Sequence, residues 1–250
     1  TRQATLAATG DTVARADGKF VCQVRRSSDD ALKSFTATEI TDGTLLSFVG
    51  TSGSDNGFVK TWYDQSVSTQ DGDRGTNNHA TQDTVASQPK VVDAGVLQSG
   101  IRFDGTNDLL DLGSAVDFNS TNANFIVWKQ DQEDSAVILL SEDKDGTGTT
   151  QIDVRSSQVN YRIGGSSSNN LISATTDMDS LNVFSFLRTT SSSYSAFRNG
   201  TSLGTDASTS TNNSTFQYIG AESTAQIDGL VSEIIIYASD QTDNRTAIEA

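Results

Sequence analysis

The segment SYSAFRNGTSLGT (193–205) decides the fold class of this chain. Polar and apolar residues alternate on both sides of Asn199-Gly200, and both of these residues tolerate the positive φ angles of a two-residue turn. An Asn-Gly pair between alternating segments is the strongest short-range signal of a β-hairpin. The segment therefore predicts two antiparallel strands joined at Asn199 and Gly200.

Short strand-like segments, separated by clusters of turn residues, extend outward from this hairpin in both directions. They read NFIVWKQ (124–130), AVILLSE (136–142), TQIDVRS (150–156), VNYRIGG (159–165), NVFSFLRTT (182–190), FQYIGAES (216–223) and GLVSEIIIYAS (229–239). We expect TQIDVRS and VNYRIGG to form a second hairpin. Many short alternating segments with turn signals between them are typical of an all-β sandwich.

The early part of the chain departs from this pattern. TDGTLLSFVG (41–50) places Thr41 as a candidate N-cap before apolar residues at helical spacing, and Gly50 as a stop signal. We therefore expect one short helix, from Asp42 to Val49, within an otherwise β-rich chain.

Length and composition favour one domain. The 250 residues are 34% hydrophobic, which is enough for one large core, and sandwiches of this size are commonly single domains. The chain starts at Thr1, and the last segment, SDQTDNRTAIEA (239–250), stops about one turn into an expected helix. We expect a single β-sandwich domain over 1–250 that is part of a longer chain, with the final segment either continuing in the parent or disordered.

Charge and residue counts exclude several functions. A net charge of −15 repels nucleic acid and anionic membranes. No apolar run approaches the ~20 residues of a membrane span. The single cysteine, Cys22, cannot form an intrachain disulfide, and one histidine excludes a His-rich zinc site.

No cofactor is expected, and one acidic segment is a candidate calcium site. EDKDGTG (142–148) is acidic but lacks the full spacing of a calcium loop. We interpret it first as an acidic β-turn and keep calcium as the alternative.

GFVKTWYDQSVSTQDGDRGTNNHATQ (57–82) contains the candidate ligand-binding residues. Trp62 and Tyr63 stand beside Asp64, and aromatic rings next to a carboxylate suit a sugar site. If this strand alternates regularly, Trp62 and Asp64 share the more exposed face with Lys60. For Trp62, both core packing and sugar contact stay open.

The residues around this motif have a structural interpretation as well. Asp64 and Gln65 are expected to fix the following loop through hydrogen bonds to its backbone. His79, at the far end of the same loop, is expected to anchor it rather than act as a base.

Four segments together resemble the concanavalin A-like, laminin-G-like jelly-roll superfamily. They are FDGTNDLLDLG (103–113), SAFRNGTSLG (195–204), FQYIGAES (216–223) and IDGLVSEIIIY (227–237). The resemblance implies a β-sandwich of two antiparallel sheets with one or two short helices. Its motifs are more specific for the fold than for the function.

The front half resembles a narrower family. VRRSSDD (24–30), followed by WYDQS and NNHATQ, is similar to the catalytic domain of the arabinofuranosidase B family of glycoside hydrolases, and to related bacteriophage virion proteins. Here an insertion at about 67–76 splits the motif.

This second resemblance implies positions for two catalytic carboxylates. Retaining glycosidases need a nucleophile and an acid/base about 5 Å apart. The family nucleophile is a glutamate two places after an aspartate. Asp153 matches that aspartate, but Arg155 stands where the glutamate belongs. Glu222 matches the acid/base position.

Because a guanidinium cannot attack an anomeric carbon, we expect a non-catalytic chain. The expected function is a structural or adhesion module of a virion (a capsid decoration, tail or fibre) or of another extracellular assembly. Glycan binding and homo-oligomerisation are left open. Expected partners are other virion or surface proteins, with no nucleic acid and no membrane insertion. The alternative is a glycoside hydrolase of arabinofuranosidase-like type that uses Glu222 with another carboxylate, such as Asp153.

Overall fold

The computed structural model describes residues 6–8, 20–65, 78–118, 120–131, 137–143, 150–155, 158–163, 170–175, 178–207, 212–220 and 226–250. Within them the chain forms eighteen strands: β1 (Leu6–Ala8), β2 (Phe20–Arg26), β3 (Leu32–Thr36), β4 (Gly57–Trp62), β5 (Ala80–Thr81), β6 (Lys90–Asp93), β7 (Val96–Asp104), β8 (Leu110–Phe118), β9 (Asn122–Gln130), β10 (Val137–Ser141), β11 (Thr150–Arg155), β12 (Gln158–Ile163), β13 (Asn170–Thr175), β14 (Asn182–Thr190), β15 (Ser193–Arg198), β16 (Thr201–Asp206), β17 (Ser214–Ile219) and β18 (Asp228–Tyr237).

The described helices are short. They are α1 (Ala37–Thr41), α2 (Thr44–Val49) and α3 (Arg245–Glu249), with single 3₁₀ turns at Val85–Ser87 and Thr242–Asn244. No helix in the described part of the chain is both long and apolar enough to cross a membrane.

The first sheet has the strand order β16–β15–β14–β9–β18. Beyond β18 it continues with β1, the one parallel neighbour among these pairs, and with antiparallel β7.

The second sheet has the order β13–β12–β11–β10–β17–β8–β5–β4–β2–β3. Strand β6 pairs with both β4 and β7, and it joins the two sheets along one side. On the opposite side β13 lies beside β16.

The hydrophobic core lies between the two sheets. It combines fully buried side chains from the first sheet, Ile126, Trp128, Phe184, Phe186 and Ile234, with others from the second, Val24, Phe35, Trp62, Ile152 and Phe216. Burying one large apolar side chain contributes roughly 1.5–3 kcal/mol. The alternation of the sequence therefore stabilises the sandwich by turning one face of each strand inward.

Both predicted hairpins are confirmed. Arg198 pairs with Thr201, and Asn199 and Gly200 have φ angles of 48° and 80°, as a tight two-residue turn requires. Strands β11 and β12 pair as the second hairpin, and the two residues between them lie outside the described part of the chain.

The predicted helix 42–49 is wrong in its start. Thr41 ends α1, which begins after a capping box formed by Thr36 and Glu39. Helix α2 begins at Thr44 after Gly43, whose φ of 90° suits a residue without a side chain. Thr41 is therefore the last residue of a helix and not an N-cap, and the cap signal that the sequence does contain is the capping box of Thr36 and Glu39.

Helix α3 packs on the outer face of the first sheet, so the expectation of a disordered end is wrong for these residues. Ile248 contacts an apolar cluster on that face that includes Phe125 and Tyr237. Ser185 Oγ donates a hydrogen bond to Glu249 Oε1 at 2.6 Å, and the Arg245 guanidinium lies 3.9 Å from the Phe197 ring centre.

Candidate functional site

Nine polar side chains form a continuous line across the outer face of the second sheet. In antiparallel pairs, directly opposed residues project to the same face, so the strand register places them side by side. This polar row consists of Arg162 on β12, Gln151 on β11, Ser141 on β10, Tyr218 on β17, Asp111 on β8, Thr81 on β5, Thr61 on β4, Gln23 on β2 and Ser34 on β3. Each of these nine residues has at least one direct sequence neighbour whose side chain lies in the hydrophobic core.

The polar row is accessible over only part of its length. At one end Ser141 is fully buried and Gln151 is 5% exposed. From Tyr218 to Ser34 the side chains are partly exposed, apart from Thr61, which is 8% exposed. We call this stretch, across β17, β8, β5, β4, β2 and β3, the open part of the row.

A hydrogen-bonded group lies at the Tyr218 end of the open part. The Gln217 side-chain amide donates to Asp111 Oδ1 at 3.2 Å and to the Tyr218 hydroxyl at 3.0 Å. The Gly113 backbone N–H also donates to Asp111 Oδ1, at 2.7 Å. These bonds fix a carboxylate, an amide and a phenol in one place, which is the mixture of groups that recognises sugar hydroxyls.

Tyr63 lies at the other end of the open part. Its hydroxyl is 2.9 Å from Ser34 Oγ, and its ring is 6.3 Å from Phe20 and 5.0 Å, edge to face, from His79. Tyr63 is partly exposed and Phe20 is 49% exposed. Of the three predicted ligand-binding residues, Tyr63 is therefore the one that borders the polar row with accessible surface.

Trp62 occupies a different position from the one its alternation predicted. Thr61 pairs with Gln23 and Val59 pairs with Val24, so Lys60 is an extra residue that forms a β-bulge. The bulge turns Trp62 into the core, where it is fully buried and its indole Nε1 has no hydrogen-bond partner. The expectation that Trp62 shares the exposed face with Lys60 is wrong for this reason.

Asp64 is also buried, with 1% exposure. Its backbone N–H donates to His79 Nδ1 at 2.9 Å, and the Gln65 side-chain amide donates to the carbonyls of Phe20 and Tyr63. The bond between Asp64 and His79 joins the residues on either side of the segment 66–77, whereas Gln65 bonds to backbone outside that loop. The segment itself lies outside the described residues, so the expected fixing of its backbone by Asp64 and Gln65 stays a prediction. A sugar contact by Asp64 stays a prediction.

Asp153 lies on the same outer face, next to the buried end of the polar row, and is fully buried. Arg162 donates to its Oδ2 from Nε at 2.7 Å and forms a second bond from Nη2. Asn160 donates to the other carboxylate oxygen at 2.9 Å. Asp153 is therefore a neutralised partner in a buried ion pair.

The structure describes only some of the other residues that glycoside hydrolysis would require. Arg155 ends β11 opposite Gln158, two residues after Asp153. Glu222 lies outside the described residues, as does most of the acidic segment 142–148. Four strands separate Asp153 from Trp62, and the two side chains point to opposite faces of the second sheet. The described residues contain no group of three or more His, Cys, Asp or Glu arranged to hold a metal ion.

A second polar cluster is enclosed between the sheets. The Tyr161 hydroxyl bonds to Asn122 Oδ1 at 3.0 Å and to Ser214 Oγ at 2.8 Å, and fully buried Arg188 donates to the Asn212 carbonyl. Burial raises the pKa of Tyr161 to about 12. The side chains of Tyr161, Asn122, Ser214 and Arg188 are fully buried and join both sheets from inside, which assigns this cluster to stability.

Asp108, in the turn between β7 and β8, is a buried carboxyl group with a changed acidity. It is 5% exposed and accepts a hydrogen bond from the Asp104 backbone N–H at 3.0 Å. Burial, with the nearby charge of Asp104, raises the pKa of Asp108 to about 7.

Comparisons with known proteins identify the fold. No protein-family model and no curated protein matches the chain. Two solved arabinofuranosidase structures share its architecture at 12% sequence identity. One is a variant of a GH54 α-L-arabinofuranosidase soaked with 4-nitrophenyl α-L-arabinofuranoside (TM-score 0.64; 94% of this chain, 59% of that one). The other is an arabinofuranosidase complexed with arabinofuranosyl-α-1,2-xylobiose (TM-score 0.61; 97% of this chain, 61% of that one).

Likeness at this level of identity defines the fold and leaves the activity open. The chain is a concanavalin A-like jelly-roll β-sandwich of two antiparallel sheets, as the sequence predicted. It spans about three fifths of the length of these two enzymes.

Proposed function

We propose that this chain is a non-catalytic module of a larger extracellular assembly, such as a virion, and that it binds glycans on the outer face of its second sheet. The observation that carries the proposal is the polar row. Its open part presents hydroxyl, amide and carboxylate groups on rigid strands, with Tyr63 and Phe20 at one end. Sugar sites combine such polar groups with aromatic rings.

The state of Asp153 supports the absence of catalysis. A retaining glycosidase needs two carboxyl groups that face one sugar. Asp153 is instead buried, and three hydrogen bonds from Arg162 and Asn160 occupy its oxygens. Arg155 follows where the resemblance requires a nucleophile.

The place in an assembly rests on the front-half resemblance to bacteriophage virion proteins and on the acidic composition. A charge of −15 favours a soluble, displayed surface and disfavours nucleic acid. The proposed partners are neighbouring proteins of the assembly, further copies of this chain and cell-surface glycans.

A direct test measures polysaccharide binding and glycoside hydrolysis in parallel. The protein is run through native gels that contain plant, algal or bacterial polysaccharides, and it is incubated in parallel with aryl arabinofuranosides. We expect retarded migration with at least one polysaccharide and no release of the aryl group. The absence of retardation in every polysaccharide, with the protein still incorporated into its particle, would instead support a scaffold without a ligand.

Glycoside hydrolysis is the second candidate, favoured by the likeness of nearly the whole chain to two arabinofuranosidases. In that case Glu222 would act with Asp153 or another carboxylate. Aryl-glycoside turnover that disappears in Glu222→Gln would establish hydrolysis and overturn the non-catalytic proposal.

A further inference from the structure

We infer that the open part of the polar row binds a neutral oligosaccharide in an extended form, running across the strands toward Tyr63. This inference rests on the proposed glycan-binding function and adds the class of ligand and its direction. It is based on three properties of the row: its length, its charge and the aromatic rings at one end.

Length favours a chain of several sugars over a single terminal sugar. The open part crosses six neighbouring strands, from Tyr218 on β17 to Ser34 on β3. Neighbouring strands are about 4.8 Å apart, so the open part is about 24 Å long. That spacing is close to the length of one sugar unit in an extended polysaccharide, so each strand can present one side chain to about one sugar.

The charge of the open part favours a neutral ligand. Of its six row residues, Asp111 alone carries a charge, and the chain as a whole carries −15. Arg162, the only basic residue of the whole row, lies beyond the open part and is bound to Asp153. A uronic acid polymer or a nucleic acid would approach this face against a repulsive field.

The aromatic end gives the ligand a stacking surface. The rings of Phe20 and Tyr63 are 6.3 Å apart and both have accessible surface, and the Tyr63 hydroxyl lies 2.9 Å from Ser34 Oγ. The apolar face of a sugar ring packs favourably on an aromatic ring, while its hydroxyls bond to neighbouring polar groups. The opposite end of the row, at Ser141 and Gln151, is buried and therefore limits the ligand on that side.

The test is a calorimetric titration with a ladder of neutral xylo- and arabino-oligosaccharides of increasing length, together with oligogalacturonides as the acidic arm. We expect affinity to rise with chain length and to level off when the open part is filled, with weaker binding of the acidic ladder. Binding of a monosaccharide as tight as that of the longest oligomer, or a preference for the acidic ladder, would overturn the inference but leave glycan binding intact. No binding by any sugar would overturn the proposed function itself.

Two variants locate the ligand on the row. Gln23→Ala and Thr81→Val each remove one polar group from inside the open part, away from its two end residues. A net hydrogen bond is worth about 1 kcal/mol, so we expect each change to weaken binding of the longest oligomer roughly fivefold. Gln98→Ala, on β7 away from the row, is the matched control and should leave binding unchanged. Unchanged affinity in both row variants, with unfolding temperatures like that of the wild type, would contradict this placement.

Discussion

Asp153 illustrates how one neighbouring residue changes what a carboxylate can do. In the strand that resembles a catalytic strand, this aspartate is enclosed, and Arg162 and Asn160 occupy its oxygens. Taking a carboxylate out of water is costly unless a paired charge and hydrogen bonds replace the lost hydration. Arg162 is therefore required for the local structure around Asp153.

The first prediction concerns this pair. Arg162→Ala leaves the Asp153 carboxylate buried without its guanidinium, and we expect the free energy of unfolding to fall by roughly 3–5 kcal/mol. Lys60→Ala is the control, because it breaks an ion pair to exposed Asp83, and exposed pairs contribute about 1 kcal/mol or less. Urea denaturation measures both. Equal losses in the two variants would contradict the account of Asp153.

The second prediction concerns Asp108 and pH. Because its pKa is raised to about 7 in the folded protein, the folded state holds a proton that the unfolded chain releases near pH 4. The contribution of this group to stability therefore decreases as pH rises from about 4 to about 7. Asp108→Asn removes the titratable proton and keeps the size of the side chain.

Subtracting the unfolding free energy of Asp108→Asn from that of the wild type cancels the contributions of the other titrating groups. We expect the difference in unfolding free energy, wild type minus Asp108→Asn, to decline across pH 4 to 7 and to be constant above about pH 8. A difference that is independent of pH between 4 and 7 would show that Asp108 does not titrate in this range.

At the scale of elements, small irregularities decide which side chains lie on the polar row. The bulge at Lys60 turns Trp62 inward, and the register shift next to Gln217 brings that amide against Asp111 and Tyr218. Each bulge reverses the alternation beyond it, because one extra residue changes the face to which the following side chains point. Strict alternation therefore predicts the strands correctly and the exposure of Trp62 incorrectly.

The third prediction concerns α3. Ile248 covers apolar residues on the outer face of the first sheet, including Phe125 and Tyr237. Ile248→Ser should lower the free energy of unfolding by about 1–2 kcal/mol, because apolar contact is lost at a partly exposed site. Ala247→Ser, an exposed position in the same helix, is the control and should change it by a few tenths of a kcal/mol. Thermal unfolding of both variants gives the comparison, and equal effects would mean that α3 adds no packing energy.

At the scale of the whole molecule, the sandwich could be predicted from the sequence, but the candidate site could not. Asn199-Gly200 and the alternating segments depend on local backbone preferences, which a single sequence contains. The polar row depends on register across nine strands that are far apart in the chain. Thr81 and Gln23, for example, become neighbours of Thr61 only through pairings that no local pattern specifies. Of the two aromatic residues at 62 and 63, only Tyr63 borders the row, because the bulge at Lys60 turns Trp62 into the core.

The whole molecule is a β-sandwich whose second sheet carries one polar row, and we propose that this row binds a glycan without catalysis. Its outer first-sheet face is covered in part by α3, and its second-sheet face presents the open part of the polar row. We expect ligand contact on the outer face of the second sheet and none on the outer face of the first sheet. One experiment can distinguish the two faces.

The most direct measurement is a titration of the isotopically labelled protein with a neutral oligosaccharide, followed by the backbone amide chemical shifts. The account predicts shift changes concentrated on β17, β8, β5, β4, β2 and β3, with an unchanged oligosaccharide recovered at the end. Shift changes confined to the outer face of the first sheet, or cleavage of the oligosaccharide during the titration, would contradict it.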